Sequence, residues 1–125
     1  MMRIMTDGRF EETPSKVVYK YQVGLYAGPQ KVMIPVGSTL VHSEFIDVFG
    51  HYGFLLWYEV RLDKVDEKIT HIYQVFGTGD ASIPKMAKHV TTGIQWYYGH
   101  RDERTFPRLV RHLFEYPTGS KIVDA

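Results

Sequence analysis

The run KVVYKYQV (residues 16–23) decides how the chain is to be read. Val17, Tyr19, Tyr21 and Val23 fall on alternate positions, with Lys20 and Gln22 between them. Successive side chains of a strand point to opposite faces, so this period of two is the signature of a half-buried β-strand. The same punctuation continues along the chain. Gly28-Pro29 turns it into QKVMIP (30–35), and Val36-Gly37-Ser38 turns it again into TLVHSEFIDVF (39–49). Gly50-His51-Tyr52-Gly53 reads as a hairpin connection into FLLWYEVRL (54–62), and a charged tip (63–68) leads to ITHIYQVF (69–76). KHVTTGIQWYY (88–98) and RLVRHLFEY (108–116) complete the set.

About seven short strands separated by turn residues predict an all-β fold, a single-domain antiparallel β-sandwich or small barrel with little helix. No segment carries a sustained helical apolar stripe; SIPKMAKH (82–89) is the nearest to a helical turn and is too short to stand alone. The expected organisation is an N-terminal extension over 1–14, one β domain over 15–117 and a mobile C-terminal tail over 118–125. A chain of 125 residues builds one core and not two.

Strand faces carry a further expectation. In 54–62, Phe54, Leu56, Tyr58, Val60 and Leu62 share the core face, while Leu55 and Trp57 lie opposite. In 69–76, Ile69, Tyr73 and Val75 oppose Ile72 and Phe76. An antiparallel sheet commonly keeps one face wet, so two apolar faces predict a second sheet, a homo-oligomer, or both.

Composition removes several kinds of chemistry. The chain has no cysteine, which excludes disulfides, thiolate nucleophiles and cysteine-ligated zinc. Its formal charge of +1 supplies no strong global field for extended nucleic acid or for a membrane surface. The start, MMRIMTDGRF, lacks the apolar core of a signal peptide, and no run reaches bilayer-spanning length, so a cytoplasmic location is the expectation. There is no GxSxG elbow and no HExxH, and His42, His51, His71, His89, His100 and His112 include no pair at i, i+2. The sequence therefore implies no metal ligand set, no cofactor and no catalytic residue. His42 and Glu44 share a face and would meet His71 or His112 under a suitable pairing. Asp47, Glu59 and Glu115 are the strand carboxylates available for two-carboxylate hydrolysis.

Two stretches suggest ligand recognition. QVFGTGDASIP (74–84) sends a strand into Gly77-Thr78-Gly79-Asp80, but it fails the Walker template, which needs Gly-Lys-Ser/Thr, and the dinucleotide template, which needs a third glycine opening a helix. What remains is a turn in which glycine takes a positive φ and Asp80 bonds local backbone, or a loop whose amides line a pocket. WYYGHRDERTFPR (96–108) joins Trp96, Tyr97 and Tyr98 to His100, Arg101, Arg104 and Arg108. Guanidinium forks match phosphate or carboxylate oxygens and aromatic faces stack on bases. Against this stands a solvated loop in which Asp102 and Glu103 neutralise the arginines.

Several short motifs also resemble a family of small uncharacterised proteins common in bacteriophage and prophage genomes. They are Tyr19-Lys20-Tyr21, Ile34-Pro35-Val36-Gly37, Gly77-Thr78-Gly79 with Ile83-Pro84, Thr91-Thr92-Gly93-Ile94-Gln95 and His112-Leu113-Phe114-Glu115. The resemblance covers Val18 to Tyr116; the extension before it and the longer aromatic segment after Gln95 depart from the pattern. It implies a small all-β phage-type accessory protein and transfers no catalytic residue. The expectation is a non-enzymatic protein that binds and sequesters a small anionic ligand, such as a nucleotide immune signal, as an anti-defence sponge. The alternatives are a protein–protein inhibitor or virion accessory that uses Leu55 and Trp57 on an exposed sheet face, and a nucleotide hydrolase. Its partners would be a nucleotide-like ligand or a host protein, in host cytoplasm.

Overall fold

The computed structural model describes residues 5–6, 9–10, 15–48, 51–80, 82–96 and 108–123. A short pairing of β1 (Met5–Thr6) with β2 (Arg9–Phe10) precedes seven longer strands. These are β3 (Lys16–Gly24), β4 (Gln30–Pro35), β5 (Thr39–Val48), β6 (His51–Arg61), β7 (Lys68–Gly77), β8 (Lys88–Trp96) and β9 (Arg108–Glu115). They form two antiparallel sheets, one ordered β3-β6-β5 and the other β4-β7-β9-β8. The fold is a β-sandwich rather than a closed barrel. No helix among the described residues is long and apolar enough to cross a membrane.

The period-two pattern explains which side chains lie between the sheets. Val23 of β3 and Phe54, Leu56, Tyr58 and Val60 of β6 pack against Val32 and Ile34 of β4, Tyr73 of β7 and Leu113 of β9. Each large apolar side chain taken fully out of water contributes about 1.5–3 kcal/mol. Tyr21 closes on Tyr58 edge-to-face, with ring centroids 6.0 Å apart. Leu62 departs from the expected core face and is 44% exposed. The chain leaves β6 at Arg61 and enters a 3₁₀ turn (Leu62–Lys64), where alternation no longer holds.

The hairpin between β5 and β6 is tighter than the sequence suggested. His51, Tyr52 and Gly53 belong to β6, with Val48 paired to His51 and Ile46 to Gly53. The segment 82–89 holds no helix: a turn with Ala87 N–H donating to the Pro84 carbonyl (3.1 Å) delivers the chain to β8. Side-chain bonding ties the sheets together at one corner. The Gln30 amide accepts from Gly24 N–H at 3.0 Å and donates to the Gly24 carbonyl at 2.7 Å, so it completes the end of β3 from the start of β4.

At the opposite side the sheets meet where β5 faces β8. A Cβ on Gly93 would lie 2.2 Å from Cγ of Phe45, so the ring occupies the space that any other residue would need. Phe45 also stands edge-to-face on Phe54, with centroids 5.1 Å apart.

The second apolar face of β7 is partly covered within the chain. Ile72 and Phe76 are 4% and 3% exposed although they point away from Tyr73. Phe76 packs edge-to-face on Phe114, and Ile72 lines a small cavity with Pro29, Tyr116, Ile122 and Val123. Tyr116 N–H extends the β7–β9 ladder by donating to the Ile72 carbonyl at 2.9 Å. Leu55 and Trp57 lie half-buried on the outer face of the three-stranded sheet, with the His42 ring 5.1 Å from that of Trp57.

Candidate functional site

Residues 77–80 end β7 in a turn closed by Asp80 N–H donating to the Gly77 carbonyl at 3.2 Å. Gly79 has φ +91, the left-handed value that the third position of a type II turn demands. The Asp80 carboxylate accepts from Gly77 N–H at 2.7 Å, so its first partner is the backbone of its own turn. Thr78 reaches outward, with its hydroxyl 3.0 Å from Nε2 of His112.

The register of β9 relates this turn to the aromatic-arginine stretch. Gly77 stands opposite Arg111, and Trp96 opposite Arg108 on the same strand. The turn and the strand ends that bracket residues 97–107 therefore occupy one end of the four-stranded sheet. Tyr97, Tyr98, His100, Arg101 and Arg104 lie outside the described residues, and of Trp96 the backbone pairing alone is described.

Sequence spacing missed a polar chain on the outer face of this sheet. Thr92 Oγ1 lies 2.7 Å from Nε2 of His89 and 2.9 Å from Nδ1 of His112. The His112 ring in turn reaches Thr78, so the chain runs from β8 through β9 to the glycine turn. A hydroxyl carries one proton, so with neutral rings Thr92 donates to one imidazole and accepts from the other. Phe114 stands under His89 edge-on, with centroids 5.4 Å apart.

A second cluster lies between the sheets. The Tyr58 and Tyr73 hydroxyls hydrogen-bond to each other, Tyr73 also bonds Glu115, and Glu115 Oε1 is 2.7 Å from Nδ1 of His71. Burial pushes the Tyr58 phenol up to about 12 against the lowering effect of its bond to Tyr73. Burial raises Tyr73 further, with the Tyr58 bond and the negative Glu115 acting in the same direction. Glu115 also lines a cleft of about 280 Å³ with Met86, Lys88, Tyr116, Pro117 and Thr118.

The other sequence candidates do not converge. His42 and Glu44 sit 3.9 Å apart on the three-stranded sheet, whereas His71 and His112 belong to the other sheet. Glu59 bonds Lys16 at 3.0 Å, on the face of β6 opposite to the core, while Glu115 faces His71 between the sheets. Of Asp47 the backbone pairing with Tyr52 is described. No group of three or more metal-ligating side chains forms among the described residues.

The chain belongs to the family described as a domain of unknown function, DUF7352, whose profile matches residues 14–122. No curated protein and no solved structure matches it.

Proposed function

We propose that this protein is a non-enzymatic, phage-type accessory protein that captures and sequesters a small anionic ligand, a nucleotide immune signal, in host cytoplasm. The observation that supports this is the register of β9. Arg111 stands opposite Gly77 and Arg108 opposite Trp96, so the glycine turn and the ends of the aromatic-arginine stretch share one end of a sheet. Thr78 brings a hydroxyl and His112 an imidazole to the same end. Tyr97, Tyr98, His100, Arg101 and Arg104 belong to the bracketed stretch and supply stacking faces and oxyanion donors. Binding is favoured over catalysis because Glu59 and Glu115, two of the strand carboxylates, lie in different sheets.

Thermal unfolding against linear, cyclic and ADP-ribose-type nucleotides tests this reading. A true ligand raises the midpoint by about 4 °C for each kcal/mol of linkage in a domain of this size. The double variant Arg101→Ala/Arg104→Ala should lose that shift while keeping its ligand-free midpoint. If no nucleotide shifts the midpoint and none is extracted from purified protein, the reading fails. Mass spectrometry of the recovered ligand separates a sponge, which returns it unaltered, from a hydrolase.

A second reading rests on the outer face of the three-stranded sheet, which carries Val18, 52% exposed, and the half-buried Leu55 and Trp57. Such a face suits a second copy of this chain or a host protein. Trp57→Glu should then lower the assembly mass in native mass spectrometry with the circular dichroism spectrum unchanged. Unfolding of that variant would make Trp57 structural and remove this reading.

A further inference from the structure

His89 and His112 come together because of a defect in a strand. His89 and Thr92 are three residues apart, and in a regular strand that odd spacing puts them on opposite faces. The register of β8 slips between His89 and Thr91, where His89 pairs with Phe114 and Thr91 with Leu113. The bulge inserts Val90 and reverses the alternation, so His89 and Thr92 emerge on the same outer face as His112, the direct partner of Thr92. Two imidazole nitrogens from neighbouring strands then aim at one point. Nε2 of His89 and Nδ1 of His112 lie 2.7 and 2.9 Å from the same Thr92 oxygen, and the ring centroids are 6.1 Å apart.

We infer that His89 and His112 form a binding site for a divalent transition-metal ion of the zinc, nickel or copper(II) type, seated where the two ring nitrogens converge. Imidazole is a preferred ligand of these ions. A zinc–nitrogen bond is about 2.0–2.1 Å, so each ring closes by less than about 1 Å along a direction it already faces. Thr92 turns its hydroxyl aside or stays as a weak oxygen ligand. His89 is exposed and His112 half-exposed, which gives the ion an entry path and leaves water to complete its shell. With two protein nitrogens the site is open, unlike the closed four-ligand sites that hold structural zinc. The inference shares His112 with the nucleotide reading but does not rest on it, since it uses neither the arginines nor the stretch 97–107 and its test contains no nucleotide.

Untagged protein titrated with zinc alone and with copper(II) alone, by calorimetry and by nitrogen-15 spectra of the imidazoles, tests it. One ion per chain should bind, moving the His89 and His112 ring signals. His89→Ala and His112→Ala should each weaken binding at least about tenfold, as even outer-shell partners of a metal are worth 10–100-fold. His42→Ala, on the other sheet, should change nothing. Circular dichroism checks the fold, and His89→Gln and His112→Gln replace any alanine variant that fails to fold. Absence of saturable binding of either ion overturns the inference. So does undiminished binding in both histidine variants, or an equal loss in His42→Ala.

Discussion

Glu115 and His71 meet between the two sheets with Oε1 2.7 Å from Nδ1, although they lie 44 residues apart in sequence. The register makes the contact: Glu115 is the partner of Tyr73 across β7 and β9, and His71 is the next residue along on the same face. Glu115 therefore satisfies two groups, the imidazole and the Tyr73 hydroxyl. Glu115→Ala takes the partner of the His71 Nδ1 and one of the two partners of the Tyr73 hydroxyl, and should cost about 1–3 kcal/mol, the usual penalty for part-buried polar groups left unsatisfied. Glu115→Gln keeps an acceptor oxygen and should cost less than half as much. Urea unfolding measures both, and equal losses would mean that the charge, rather than the acceptor, holds the cluster.

The phenols behind Glu115 give a pH signature. Tyr58 is pushed up to about 12 and Tyr73 is raised beyond it, burial being the main cause for each. Both are protonated in the folded and unfolded chain below the ordinary value of 10, so their contribution is fully present there. Above 10 the unfolded chain ionises first and stability falls, by about 1.4 kcal/mol per pH unit for each phenol held neutral in the native state. Alkaline unfolding should begin near that value, and the Tyr58 share of the decline should be complete once the pH passes about 12, where the native phenol ionises as well. The variant Tyr58→Phe/Tyr73→Phe should flatten this decline. At neutral pH the double variant should cost less than the sum of the single ones, because Tyr73→Phe takes the Tyr58 hydroxyl's partner and Tyr58→Phe leaves Tyr73 with Glu115 alone.

Much of this architecture is legible in KVVYKYQV and its successors, because alternation is a local property. Val23, Phe54, Leu56, Tyr58, Val60 and Tyr73 all take the buried face that the pattern assigns them. What alternation cannot carry is its own interruption. The slips between Leu40 and His42 and between His89 and Thr91 depend on the partner strand, and the second creates the His89–His112 pair. A search at i, i+2 passes over two histidines that belong to different strands. The Glu115–His71 contact is hidden for the same reason, since spacing along the chain says nothing of which strands become neighbours. Of the stretch expected to hold a ligand, the turn 77–80 is described, and there the Asp80 carboxylate bonds its own turn.

That turn can be tested by itself. Asp80→Ala removes the acceptor of Gly77 N–H and should cost about 0.5–1.5 kcal/mol. Asp80→Asn keeps an acceptor oxygen and should be nearly neutral. Gly79→Ala places a side chain at φ +91 and should cost about 1–2 kcal/mol. If the midpoint of Asp80→Ala equals that of the parent, the carboxylate does not hold the turn and its conformation rests on glycine alone.

Gly93→Ala tests how the sheets meet. A new Cβ would lie 2.2 Å from Cγ and 2.3 Å from Cβ of Phe45, so the ring or the backbone of β8 must move. Phe45 is not free to do so, because it packs against the core and stands on Phe54. Overpacking of this kind should cost about 1–3 kcal/mol. Phe45→Gly alone loses the packing of an aromatic ring and destabilises on its own account. In the Phe45→Gly background, however, both the ring and the Cβ that crowd Gly93 are gone, so Gly93→Ala has space for its methyl group and should add almost nothing. The double-mutant cycle in urea should therefore show a coupling of about 0.5–3 kcal/mol. Additive losses would mean that the Phe45 ring does not fill the space over Gly93, and that β5 and β8 approach for some other reason.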